Sequence, residues 1–407
     1  MNPGLEVMII EKSGKLLSKV KVSGGGRCNV THACFEIAEM VKKYPRGSNL
    51  VKKTFHQFFT TNTIEWFEER GVVLRKEEDG RMFPVSNSSQ TIIDCLLKEA
   101  DRYGVVVMMN TEVRSLKSEV GSQNSEYKQA ADNKEEQRKI VLEISTQGDS
   151  GFRILSSDFV CIASGGYPKS SMFDWIKQIG HSIADPVPSL FTFNIPGNAI
   201  TKLMGISVEK TKLKIAGTKL ESDGPLLITH WGLSGPAVLK LSAWGARELA
   251  EKKYAFTAIV NWLPQFNEQT LREAFQQFRF DIATQKMINR NPFALPQRLW
   301  EYFLQESGIK EDVHWADLPA VTQNKLIRNL IGQEFLVNGK TTFKEEFVTA
   351  GGVNLNEIDA NTMMSKRRPG LFFAGEIMNV DGVTGGFNFQ HAWTSGWIAA
   401  KSIAGLA

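Results

Sequence analysis

From Leu371 onward the chain runs Leu371-Phe372-Phe373-Ala374, then Gly375-Glu376, then glycines at 382, 385 and 386, then a stretch with Trp393, Trp397, Ala400 and Ile403 near one helical face. An apolar run of this length is what a parallel sheet buries on both faces, and Gly375-Glu376 ends it with a carboxylate at the strand's C-terminal edge. Ligands of open α/β sheets bind at that edge. Gly382, Gly385 and Gly386 let the backbone come close to a bound group, and a helix from Phe387 to Ile403 would aim its N-terminus there. A strand, glycine turn and helix in this order confine the chain to the α/β class with a ligand at a strand end.

A chain of 407 residues with 42% apolar content is long for one core, so two domains are expected. The formal charge is +4, from 48 basic and 44 acidic residues. So near a balance calls for no nucleic-acid partner. Cys28, Cys34, Cys95 and Cys161 show no metal-type spacing and suit reduced thiols. No signal core is present and no apolar run approaches the roughly 18 residues a membrane span needs. The expectation is a cytoplasmic protein with no membrane partner and no metal.

Leu5 to Ile10 reads as a parallel strand closing on Glu11-Lys12, and an acid in that position holds a ribose in dinucleotide-binding folds. Gly24-Gly25-Gly26-Arg27-Cys28-Asn29 is either an approach loop for a phosphate or flavin, or a mobile turn. Residues 35 to 70 are helical in pattern, Val72 to Pro84 is a hairpin turning at Asp79-Gly80, and Ser89 to Tyr103 is an amphipathic helix stopped by Gly104. Val105 to Leu116 is predicted as one strand, with the polar stretch Ser118 to Gln137 as a flexible excursion before a return strand from Lys139 to Ser145. A further strand, Ile154 to Ala163, ends in Ser164-Gly165-Gly166, again small residues where a backbone can touch a ligand. Past Pro186 the short alternating stretches between Phe191 and Val260 argue a β-barrel or sandwich, and Gln269 to Gly332 is mostly helical. The predicted domains are therefore 1–189 with 343–407, an inserted barrel over 190–265 and an inserted helical subdomain over 266–342.

The ordered motifs SGGGRCNVTH, ASGGYP, THWGLSGPAVL, VTAGGVN and LFFAGEIMNVDGVTGGFNFQHAWTSG resemble those of the BaiN-like (YhiN) family of FAD-dependent oxidoreductases, over nearly the whole chain. The resemblance implies a Rossmann-type FAD-binding domain interrupted by an inserted β-barrel plus helical domain. It implies hydride transfer between flavin and a small or steroid-like substrate, and allows NAD(P)H as donor. By matching position, Glu11 would hold the adenosine ribose with Lys12 beside it, and Val113 would meet the adenine. Arg27, Cys28 and Asn29 would line the pyrophosphate or flavin side of the first loop, with Gly165 at the next strand end. Gly375 and Glu376 would take the ribityl chain, and Gly385, Gly386, Phe387 and Asn388 the isoalloxazine, with Asp381 held nearby between the two turns.

The chain departs from the family at its start. G-x-G-x-x-G, which in such folds follows the first strand, is absent, and Met1 falls where the helix after it should end. The N-terminal βα unit is expected to be missing and the natural start to lie roughly 25 residues upstream. Because the first strand is central in the usual order, its absence would leave two unpaired sheet edges. Two alternatives stand beside the enzyme: a fragment unable to hold FAD, and an RNA-modifying flavoprotein, which the near-neutral charge disfavours. Among single residues, Cys28 and Cys34 invite comparison with a redox pair but differ in spacing, with Cys34 the better candidate for plain packing and Cys28 for proximity to flavin. His230 and His391 are each open to a structural or a substrate-facing role. Asp381 has a turn-capping alternative.

Overall fold

The computed structural model describes residues 4–118, 139–148, 151–341 and 348–407. The excursion expected between Ser118 and Gln137 lies outside the described residues. The chain divides into two compact units, Met1–Val187 with Lys344–Ala407, and Pro188–Phe343.

In the first unit the parallel strands come as two separate pairs. Met8–Ile10 pairs with Val106–Met108, and Val160–Ile162 with Leu371–Phe373. Leu371, Phe372 and Phe373 are fully buried, as an apolar run in a parallel sheet should be. Val7, Met8 and Ile9, by contrast, are 48%, 46% and 43% exposed, and among the described residues no strand joins the two pairs.

Two stretches predicted as single strands are each broken. Thr111–Ser118 starts afresh after Asn110, whose φ of 51° turns the chain, and it forms an antiparallel meander with Ile140–Thr146 and Arg153–Ser157. The apolar run from Ile154 changes sheets at Asp158, whose carbonyl lies 2.9 Å from where a side-chain carbon on Gly370 would sit. Only beyond it does Val160–Ile162 join the parallel pair. Continuous hydrophobicity hid both breaks.

Ser18–Gly26 is helical only through Val22: Ser23 is extended, and Gly24, Gly25 and Gly26 follow with φ of 58°, 69° and 83°. Residues 35 to 70 hold three helices, Ile37–Val41, Ser48–Thr54 and Thr60–Glu68. The hairpin Leu74–Lys76 with Arg81–Pro84 turns where predicted and adds Thr31–His32 as a third strand. The closing helix is Phe387–Leu406, whose Trp393 and Phe389 pack on a cluster of Val20, Cys28, Val30 and Phe67.

The second unit is a seven-stranded sheet, and Gln333–Asn338 and Lys340–Thr341 belong to it. The sequence reading had placed these two strands with the helices. Glu268–Asp281, Gln297–Ser307 and Ala320–Gly332 are the helices between. Sheet and helices share one apolar core containing Phe193, Leu226, Trp262, Phe275, Trp300 and Phe335.

Candidate functional site

The strands Val160–Ile162 and Leu371–Phe373 are parallel and in register, so both deliver the chain to one sheet edge. There Gly165 and Gly166 face Gly375 and Glu376. A side-chain carbon on Gly166 would lie 2.6 Å from Glu376 Oε1 and 2.6 Å from Thr349 Oγ1, so a larger residue there would displace the Glu376 carboxylate. Glu376 accepts from the Thr349 amide at 2.8 Å through Oε1, and Lys19 Nζ donates to Oε2 at 2.5 Å. Lys19, from the first helix, was not among the residues singled out in the sequence. A lone lysine with no motif around it gives no signal until folding brings it across 357 residues of separation.

The turn from Asn379 to Asn388 is held from three sides. Asp381 is fully buried, and both its oxygens are gripped by the Arg46 guanidinium. Its carboxylate is thereby committed to holding the turn. Asn388 closes the loop on itself, accepting from the Gly382 amide at 2.8 Å and donating to the Gly382 carbonyl at 2.9 Å. Asn29, with its amide oxygen toward the turn, accepts from Gly386 N at 2.9 Å and donates to Thr31 O at 2.9 Å. Tyr44 donates to the Phe387 carbonyl at 2.6 Å. His32 lies 3.1 Å from the Gly385 carbonyl through Nδ1 and stacks on Phe387 with centroids 4.7 Å apart. Burial, the largest influence on it, lowers the basicity of His32, while the Gly385 carbonyl opposes.

Gly386 opens the closing helix with φ 94°, and no side chain caps that end. The first-turn amides are therefore aimed outward without a side-chain acceptor, and the helix end carries partial positive charge. Three polar side chains near this edge are buried with atoms that make no well-formed hydrogen bond: Thr349 Oγ1, Asn379 Oδ1 and the ring of His391, which has only the Gly375 carbonyl beside it.

The other predicted residues fall as follows. Glu11 ends Met8–Ile10, and its carboxylate folds back on the Ser13 amide at 2.7 Å, while Lys12 pairs with Glu112. Val113 stands on the adjoining meander opposite Ile144, next to a bulge. Arg27 is held by Glu77 at 2.6 Å and lies over the Phe83 ring at 4.0 Å. Cys28 is fully buried with φ 59°, packed among Val20, Val30 and Phe67, and burial pushes its thiol up to about 11. Such a thiol is inert. Cys28 is thus the more deeply packed of the two and Cys34 the more accessible, so plain packing describes Cys28 better than Cys34. His230 is exposed at the tip of a hairpin in the second unit, against the Trp231 ring.

No helix among the described residues is long and apolar enough to cross a membrane, and no cluster of His, Cys, Asp and Glu there has metal-binding geometry. The family model described as HI0933-like protein Rossmann domain matches residues 1–402. The chain is 29% identical to a ribosomal RNA dihydrouridine synthase of Escherichia coli, over 98% of this chain and 92% of that one. It is 28% identical to a ribosomal RNA dihydrouridine synthase of Haemophilus influenzae, over 98% and 93%. A 3-dehydro-bile acid delta(4,6)-reductase of Clostridium scindens is 25% identical over 98% and 93%.

Proposed function

From its membership of the HI0933-like Rossmann family of FAD-dependent oxidoreductases, to which the chain belongs, we propose that this protein binds FAD at the edge made by Gly165, Gly166, Gly375 and Glu376 and reduces a ring carbon–carbon double bond. The observation that carries the cofactor reading is the cradle at Gly166, where two parallel strand ends, the Glu376 carboxylate and the unpaired Thr349 hydroxyl come together. These groups fit a polyhydroxylated chain. When bound, FAD supplies a two-electron hydride carrier.

The chain's own residues would do the positioning. Glu376, released from Lys19, would accept from a ribityl hydroxyl, and Lys19 would sit beside Gly165 as the nearest cation for phosphate oxygens. Gly385, Gly386, Phe387 and Asn388 would present the helix N-terminus to the electron-rich edge of the reduced ring system, which a partial positive charge stabilises. Glu11 with Val113 would take the adenosine end. Arg46 and Asp381 would hold the turn in that shape, and His32, beside the Gly385 carbonyl, would be a titratable group at the turn able to deliver a proton.

The names of the three relatives share one reaction type, saturation of a double bond in a ring that bears a carbonyl. That chemistry is carried over as the proposed reaction, with NAD(P)H as the proposed donor. For the substrate, the relatives named for ribosomal RNA are more similar in sequence than the one named for a bile acid. Charge also leans that way: Pro188–Phe343 holds 18 Lys and Arg against 14 Asp and Glu, whereas the rest of the chain is balanced at 30 and 30. A modest basic excess gathered in one unit suits a phosphate backbone better than the whole-chain value suggested. We therefore place uridine in ribosomal RNA first, and a free ring enone, as in a steroid, second. The test is incubation of the FAD-loaded protein and NADPH or NADH with ribosomal RNA lacking dihydrouridine, and separately with a steroid enone. Gain of two hydrogens on a uridine supports the first reading, saturation of the enone alone the second, and neither product refutes the proposed reaction.

A further inference from the structure

Neighbouring residues near the start of the closing helix differ sharply in how their polar atoms are satisfied. Gln390 is fully buried and fully employed: its oxygen accepts from Thr31 at 2.6 Å and Thr63 at 3.0 Å, and its nitrogen donates to Thr394 at 3.2 Å. His391 is 2% exposed, and its ring has the Gly375 carbonyl on one side at less than good hydrogen-bond geometry and no polar partner on the other. An unpaired buried polar atom costs about 1–3 kcal/mol, so a fold that keeps one on this ring needs compensation.

The residues that carry the other unpaired atoms at this edge lie beside the turn Gly375–Ile377 in the chain or through a backbone bond. The Thr349 amide bonds Glu376, and a side chain at Gly166 would meet Thr349 Oγ1. Asn379 follows the turn, its amide bonded to the Val353 carbonyl at 3.0 Å. His391 is tied to the turn through Ser395, which accepts from Gly375 N at 2.9 Å and donates to the His391 carbonyl at 2.7 Å. Burial lowers the His391 ring to about 4, with the Gly375 carbonyl partly opposing, so it is neutral near pH 7. A neutral imidazole is one donor and one acceptor. Together with a threonine hydroxyl and an amide oxygen, it complements a chain of hydroxyls, each able to donate and accept.

We propose that His391 is a positioning residue for the cofactor, its ring spanning from the Gly375 carbonyl to a ribityl hydroxyl, with Thr349 contacting the same polyol chain. The proposal rests on the FAD reading above. On this account the unpaired atoms lower the stability of the FAD-free protein and are satisfied when FAD binds.

The test uses the full chain and three variants, His391→Leu, Thr349→Val and His391→Gln. FAD affinity is read by fluorescence titration, and the thermal midpoint is measured with and without FAD. His391→Leu is expected to weaken FAD binding about tenfold or more, the equivalent of one good hydrogen bond, while its FAD-free midpoint holds or rises. Thr349→Val should move both readouts the same way, and His391→Gln should keep most of the affinity. A His391→Leu protein that binds FAD within about twofold of the parent overturns the proposal. So does one whose midpoints with and without FAD fall equally, the mark of a purely structural residue. If His391→Leu does not fold, Thr349→Val decides on the same two readouts. Failure of FAD to bind the unaltered chain overturns the cofactor reading and this proposal with it, whereas binding to parent and variants alike overturns this proposal only.

Discussion

The turn Gly382–Gly386 and the turn Gly24–Gly26 are both rich in glycine, for opposite reasons. In the first, the protein's own atoms demand glycine: a side-chain carbon at Gly382 or Gly385 would lie 2.8 Å from Phe387, and one at Gly386 would lie 2.5 Å from the Thr31 backbone. In the second, a side-chain carbon at Gly24 would lie 2.7 Å from the Phe83 ring, but at its tip Gly25 and Gly26 have nothing within 4 Å, and only their φ values of 69° and 83° require glycine. One turn is thus shaped in advance by packing and by the Arg46–Asp381 pair, and the other is free to meet something that approaches it. Pre-organisation of the first is what a ring-binding turn needs, because ordering it at the moment of binding would weaken affinity.

If this contrast is right, breaking the pair that holds the first turn should have the largest effect. Arg46→Ala removes the guanidinium that grips the buried Asp381 carboxylate and should cost about 3–5 kcal/mol in chemical denaturation. Gly386→Ala comes next, at about 3 kcal/mol from overpacking against the Thr31 backbone added to a left-handed conformation. A loss below about 1 kcal/mol for Gly386→Ala would mean the turn is not rigidly packed.

Acid should reach the same region through His391. Its pKa is lowered in the folded state, so the unfolded chain takes up the proton first. Stability is therefore full above the ordinary histidine value of 6.5 and is lost as pH falls toward the folded value of about 4. The loss amounts to roughly 3 kcal/mol at 1.36 kcal/mol per pH unit. His391→Leu should flatten the stability profile over that range, and an unchanged profile would contradict the burial of the ring. The smallest effect belongs to the open turn: Gly25→Ala should cost about 1 kcal/mol through φ alone.

The division between legible and illegible residues follows the same line. Leu371–Phe373, Gly375-Glu376 and the closing helix could be read because strand burial, glycine turns and helical periodicity are local properties. Lys19, Arg46, Tyr44 and Thr349 could not, since each acquires its role only from a partner far away in sequence, as Arg46 does from Asp381 across 335 residues. Asp381 looked like a ligand-facing acid for want of sight of Arg46. Cys28 sits in a glycine motif and so reads as a residue near the ligand, yet its side chain is buried in the core. The sheet change at Asp158 was invisible because apolar residues continue on both sides of it.

The central claim is that Glu376 and its glycine cradle form a flavin site. Its most direct test is the visible spectrum of the purified chain after incubation with FAD and removal of the excess, beside a Glu376→Ala variant. The account predicts protein-bound flavin bands in the parent, with binding weakened at least about tenfold in the variant. A parent that retains no flavin, or a variant that retains as much as the parent, would contradict it.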